Sequence, residues 1–160
     1  MTGADYLAFE RTSTIKHEFI AGEVYAMSGA SEAHNLITGS TYAALYNQLR
    51  GRSGKVYPSD MKVRTPATGS YTYPDITVLC GEARFADDER DVLLNPTVII
   101  EVMSPATERY DRGRKFQHYR EIRSLQEYIL IAQDAPHIER FVRQEGGFWQ
   151  FSEDAQGDNT

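Results

Sequence analysis

A carboxylate in the middle of an apolar run is the first feature with chemical consequences. Glu101 sits inside Val98-Ile99-Ile100-Glu101-Val102-Met103, and a buried charge has to be paired, hydrogen-bonded or bound to a metal. A strand end open to water, or an arginine alongside, would also satisfy it. Asp75 opens a second apolar run, Ile76–Cys80, so two carboxylates can converge at one end of adjacent strands. Such a pair repels itself unless a cation joins it, and two hard oxygen donors suit Mg²⁺ together with phosphate oxygens. The plainer reading of Asp75 is a turn residue after Pro74. Asp111, Lys115 and Tyr119 recur at i, i+4 and i+8, on one helix face. Asp111 could be an N-cap that pairs with Lys115 on the surface, while Tyr119 and Phe116 pack as core. Alternatively Lys115 points back toward the strand ends and brings a positive charge beside the carboxylates. There it would lower the pKa of an attacking water or steady a phosphorane.

The elements that must position these groups follow from periodicity and turn residues. Lys16–Ile20 and Glu23–Met27 flank Ala21-Gly22 and read as a hairpin with a two-residue turn. Ser31 caps a helix in which Leu36, Ile37, Ala44, Leu45 and Leu49 recur at helical spacing until Gly51. Lys55–Tyr57 and Met61–Arg64 are short strands, and Pro66 to Ser70 is a loop. The runs 76–80 and 98–103 are β-branched and continuously apolar, as in strands covered on both faces. A helix is expected from Arg109 or Asp111 to Ile122, strands over 126–132 and 138–142, and a last one at Phe148–Phe151. The order predicts an α/β (α+β mixed sheet) fold with helices packed on a central mixed sheet. A single domain over 1–151 and a polar, frayed tail over 152–160 are expected.

Composition narrows the classes. The chain has 160 residues, 41% apolar and 25% charged, an ordinary globular balance with enough length for a core. One cysteine, Cys80, precludes an internal disulfide, and at the end of an apolar strand it reads as a small core residue. No N-terminal run resembles a signal-peptide core, and Val98–Ile100 falls far short of the ~20 residues of a membrane helix. A cytoplasmic protein with no membrane partner is expected. The net charge of −6 argues against a general nucleic-acid coat. Positive charge nevertheless concentrates at Arg50–Arg64 and Arg109–Arg123, which are either solvated faces or backbone-contacting patches.

Other chemistries find little support. Ser28, Ser31 and His34 have no G-x-S-x-G elbow. His17, His118 and His137 lack the paired spacing of a zinc site, Cys80 has no C-x-x-C partner, and no glycine-rich phosphate loop is present. Phe148, Trp149 and Phe151 read as core or interface rather than as a base-stacking platform.

The segments His17–Tyr25, the helix start around His34, Tyr73–Ile76, Pro96–Thr107, Asp111, Lys115, Tyr119 and Glu127-Tyr128 together resemble the bacterial Uma-two family. That family belongs to the PD-(D/E)XK, restriction-endonuclease-like superfamily. The resemblance spans most of residues 14–145. It implies a restriction-endonuclease-like core and a divalent-metal-dependent endonuclease that hydrolyses phosphodiester bonds in DNA. Carried onto this sequence, Asp75 and Glu101 would ligate Mg²⁺ or Mn²⁺, one or two ions, with the Val102 carbonyl. Lys115 would serve the nucleophilic water, and His34 and Arg112 would meet substrate. Two departures are visible. The superfamily's lysine two residues after the second acid is Met103 here, with Lys115 on the next helix as its replacement. Relatives generally continue past a point like Phe151 with another apolar segment, so one sheet edge is expected to be less covered. The alternatives are a catalytically inactive nuclease-fold module that binds nucleic acid or protein, and an oligomerising module, for instance a homodimer through the apolar C-terminal strands.

Overall fold

The computed structural model describes residues 1–155. Helix α1 (Gly3–Glu10) leads into the hairpin β1 (His17–Ile20) and β2 (Glu23–Ala26), followed by α2 (Glu32–Leu49). Strands β3 (Gly54–Tyr57), β4 (Lys62–Thr65), β5 (Ser70–Thr72), β6 (Ile76–Cys80), β7 (Val92–Leu93) and β8 (Val98–Met103) come next. Two short helices, α3 (Glu108–Arg112) and α4 (Arg114–Tyr119), precede β9 (Glu127–Ala132), β10 (His137–Arg143) and β11 (Trp149–Ala155).

The strands form two sheets, ordered β2-β1-β5-β4-β7 and β11-β10-β9-β8-β6-β3. Most pairs are antiparallel; β4–β7 and β8–β9 are parallel. The β8–β9 pair needs a crossover, and α3 and α4 supply it. Val63 of β4 joins Ile99, Met103, Phe116, Tyr119, Tyr128 and Leu130 in one core cluster, so α4 is clamped between the two sheets. On the other face of the five-stranded sheet, Tyr6 and Leu7 of α1 pack on Phe19, Tyr71 and Val92. The mixed α+β architecture expected from the pattern is present.

Several elements differ from expectation. The second helix is broken at Gly113, which adopts φ −100, ψ −90, and it ends at Tyr119 rather than Ile122. Asp111, Lys115 and Tyr119 are all buried despite the break. Helix α1 was not anticipated: only Tyr6, Leu7 and Glu10 are buried, so its periodicity is faint. Its capping box between Thr2 and Asp5 was the readable signal. Cys80 is exposed rather than core: the β6–β8 ladder stops at Val78, and among the described residues Cys80 keeps only its backbone pairing with Gly54 of β3 and a 2.9 Å N–H hydrogen bond to Thr97. Residues 152–155 are not a frayed tail. They extend β11, pairing Ser152, Glu153 and Asp154 with Arg140, Glu139 and Ile138; the rest of that expected tail, 156–160, lies outside the described residues. None of the described helices is long and apolar enough to cross a membrane.

Candidate functional site

Antiparallel pairing of β6 with β8 places Ile76 opposite Ile100, which brings Asp75, one residue earlier, next to Glu101. The Asp75 N–H lies 3.3 Å from Glu101 Oε1, and Asp75 Oδ2 accepts a 2.8 Å hydrogen bond from the Val102 N–H. Alternation along β8 turns Glu101 toward α4, the side on which Ile99 and Met103 pack. From α4, Lys115 Nζ donates to Glu101 Oε2 at 2.8 Å. The structure thus brings Asp75, Glu101 and Lys115 into one notch.

Two further carboxylates complete the floor. Glu18 of β1 stands 3.7 Å from Lys115 Nζ and accepts the Tyr73 N–H at 2.9 Å. Asp111 stands 4.0 Å from the same ammonium. Sequence reasoning had both within matching segments but gave neither a site role. For Glu18 the available signal was a carboxylate inside a strand, as at Glu101, while Asp111 on α3 offered only its i, i+4 spacing to Lys115. The floor is dry: Lys115, Glu101 and Asp111 side chains are each under a tenth exposed. The mouth is wetter, with His34 Nε2 3.2 Å from Asp75 Oδ2. Ser31 caps α2 through the His34 N–H, which fixes where that imidazole starts.

The charges do not balance. Three carboxylates lie within 4.0 Å of one ammonium, with Asp75 beside Glu101, and burial, then Asp75, Asp111 and Glu18, push the Glu101 carboxyl well above its usual range against the pull of Lys115. Burial also raises Asp111. Burial works against the Lys115 ammonium, yet Glu101, Tyr119, Glu18 and Asp111 outweigh it and hold the proton more firmly than in an ordinary lysine. His34 is raised by its hydrogen bond to Asp75 against partial burial, and its Nδ1 is buried without a hydrogen-bond partner among the described residues. A notch with surplus negative charge and hard oxygen donors suits a divalent cation. Among the described residues, however, no three His, Cys, Asp or Glu side chains are grouped as a ready-made metal set; the side-chain donors for such an ion are the pair Asp75 and Glu101.

The remaining expected site residues are Arg112 and Val102. Arg112 is held by Glu139 in a two-pronged pair, with distances of 2.9 and 2.6 Å, and lies 3.5 Å from Glu108, so its guanidinium, though 39% exposed, is already paired. Val102 meets Asp75 through its N–H, and its side chain is buried. The basic stretches also divide. Lys62 is buried against Asp91 and Arg64 lies over the Tyr71 ring, while Arg50, Arg52, Lys55, Arg109, Arg114, Arg120 and Arg123 face water.

Comparison with known proteins places the chain in a family and a fold. Residues 4–160 match the family model Uma2, described as "Putative restriction endonuclease". The uncharacterized protein sll1609 of Synechocystis is 35% identical over 160 residues, covering all of this chain and 90% of that one. A second Synechocystis protein, slr1290, is 34% identical over 150 residues, covering 91% of this chain and 75% of its own. The fold matches the crystal structure of a putative nuclease belonging to DUF820 from Anabaena variabilis with a TM-score of 0.78 at 16% identity, over 99% of this chain and 86% of that one. With the family model spanning the chain almost end to end, the protein belongs to the Uma2 family, whose description is that of a nuclease.

Proposed function

We propose that the protein is a divalent-metal-dependent endonuclease hydrolysing phosphodiester bonds in DNA. The observation that carries this reading is the meeting of Asp75 and Glu101 at neighbouring register positions, with the Lys115 ammonium 2.8 Å from Glu101. Bound Mg²⁺ or Mn²⁺, held by the two carboxylates and the Val102 carbonyl, would supply Lewis acidity toward a phosphate oxygen and make water more acidic.

This chain's own residues account for the rest. Lys115 keeps its proton, so it acts as a fixed positive charge rather than as a base. It stabilises negative charge as it builds on the phosphate during in-line displacement. The Glu101 contact orients that ammonium in a site already stripped of water, so little reorganisation is needed. His34 holds one Asp75 oxygen and the Val102 N–H holds it from the other side, which fixes the carboxylate's direction. Arg109 near the start of α3 and Arg114 at the start of α4, both exposed, supply phosphate contacts that position a backbone without reading sequence.

The test is nicking of a supercoiled plasmid with Mg²⁺ or Mn²⁺, against EDTA and against Asp75→Ala and Glu101→Ala. Cleavage is expected only with metal and only in the unsubstituted chain. Cleavage that survives both substitutions overturns the site. A non-catalytic binding role is the second reading, favoured by Met103, which is buried in the core where the superfamily places lysine. It predicts DNA binding with an unchanged salt dependence whether or not metal is present, and no cleavage.

A further inference from the structure

Helix α2 is built unlike a solvent-facing helix. It runs for 18 residues without one buried residue, a length of about 27 Å. One flank, with Ile37, Thr38, Tyr42 and Leu45, is half covered by the rest of the fold. On the other, Leu36 and Tyr46 are 62% and 52% exposed, and Gly39 and Ala43 between them are exposed too. From Ala33 to Leu49 there is no Lys, Arg, Asp or Glu, in a chain that is 25% charged. Gly39 has no packing reason among the described residues, since a Cβ there would meet nothing within 4 Å, although glycine weakens a helix interior. An exposed, uncharged face with a glycine at its centre fits close contact with another helix.

The spacing identifies that helix. Positions 32, 36, 39, 43, 46 and 50 step by four and three, the seam of a two-helix packing. Lay a second copy antiparallel across a two-fold axis near Thr41, and every position on the seam meets a complement. Glu32 faces Arg50 of the other copy, Leu36 faces Tyr46, and Gly39 faces Ala43. The charged pair lies at the two ends, the bulky pair fills the next layer, and the small pair lets the backbones approach at the axis. Both Glu32 and Arg50 are exposed and free to reach across. A two-fold contact requires this kind of self-complementarity, and an uncharged centre sets no like charges in contact at the axis.

We propose that the protein self-associates through α2 in this antiparallel register. The helix face alone is smaller than the roughly 800 Å² per partner of a standard interface. A reversible dimer in the micromolar range is therefore expected. His34 lies seven residues from the axis, so the two notches stand about 20 Å apart along the helix pair.

Sedimentation equilibrium of the full chain across the micromolar range tests the surface. A mass rising from monomer to dimer is expected; a monomer throughout overturns the proposal. Ala43→Arg should give a monomer with an unchanged circular-dichroism spectrum, whereas a dimer of wild-type strength in that variant overturns it. The register has its own test. Glu32→Arg and Arg50→Glu should each weaken association several-fold, and the two combined in one chain should restore it. In a Cys80→Ser background, chains carrying Gly39→Cys should crosslink with chains carrying Ala43→Cys faster than either does with itself. Equal or slower mixed crosslinking, or no rescue by the charge swap, rejects the antiparallel pairing.

Discussion

Replacing Lys115 with methionine isolates what the ammonium does for the fold from what it does for chemistry. Methionine keeps the length and the apolar stem but removes the one positive charge facing Glu101 at 2.8 Å, Glu18 at 3.7 Å and Asp111 at 4.0 Å. Those carboxylates are buried, so water cannot replace the lost partner. Removing one member of a buried ion pair costs about 3–5 kcal/mol. For a chain of this size each kcal/mol lowers Tm by roughly 2–4 °C, so the loss is on the order of 6–20 °C. Thermal unfolding in EDTA, followed by circular dichroism, reads it. The decisive comparison is the double variant Lys115→Met/Glu101→Gln, which removes the nearest orphaned charge as well. It should be more stable than Lys115→Met alone, with a coupling energy of ~1–3 kcal/mol. Both variants should lack metal-dependent nicking, so stability and activity separate. A Lys115→Met chain that melts within a degree or two of the wild type would falsify the buried-cluster geometry. A double variant that melts below the single one removes the pairing with Glu101.

Metal binding should show without any turnover: Mg²⁺ or Mn²⁺ at millimolar concentration should raise Tm by mass action in the wild type and not in Asp75→Asn, and an equal rise in both refutes the assignment of the ion to Asp75. Arg11 and then Lys62 hold the Asp91 carboxyl down at about 2 against its ordinary 3.8. Because the folded value is the lower one, that stabilisation is complete above about pH 4 and fades as the pH falls toward 2. Asp91 is 30% exposed, so solvent screening reduces its worth to roughly 1 kcal/mol; Asp91→Asn should lower Tm by a few degrees at pH 7 and hardly at all at pH 2, and an equal loss at both refutes the linkage. In the hairpin turn Ala21 has φ 52 and Gly22 φ 84, a conformation that suits asparagine better than alanine. Ala21→Asn should therefore stabilise by ~0.5–1 kcal/mol, and a lower denaturation midpoint in urea is the contrary result.

What could be read from the sequence was read where one local rule acted alone. The Ala21-Gly22 turn, the Ser31 cap and the two doubly covered strands each announce themselves within a few residues. Glu101 was conspicuous because a charge inside a β-branched run breaks a strong rule. Features set by distant contacts were not legible. Gly113 looks like one glycine in a helix until the chain must fit α4 between two sheets. Arg112 looks like a phosphate contact until Glu139, 27 residues on, takes its guanidinium. Lys62 and Arg64 belong to a basic stretch on paper, but strand alternation and an acidic partner at Asp91 draw Lys62 inward.

The exchange between Met103 and Lys115 follows from the same geometry. Residues 101 and 103 are two apart on β8, so both side chains point into the layer between that strand and α4. An ammonium can reach that layer from the strand or from the helix. Here the strand position packs Met103 in the core with Phe116, Tyr119 and Tyr128, and α4 delivers Lys115 from the opposite side onto Glu101. The i, i+4, i+8 stripe of Asp111, Lys115 and Tyr119 is therefore neither a surface ladder nor plain core. Tyr119 anchors it through a 2.9 Å hydrogen bond to Thr72 on the other sheet, and Tyr128 donates to the Asp111 carbonyl at 2.9 Å. A lysine held by a clamped helix is as fixed as one carried on a strand. The positive charge set against Glu101 therefore comes from the helix rather than from two residues along the strand.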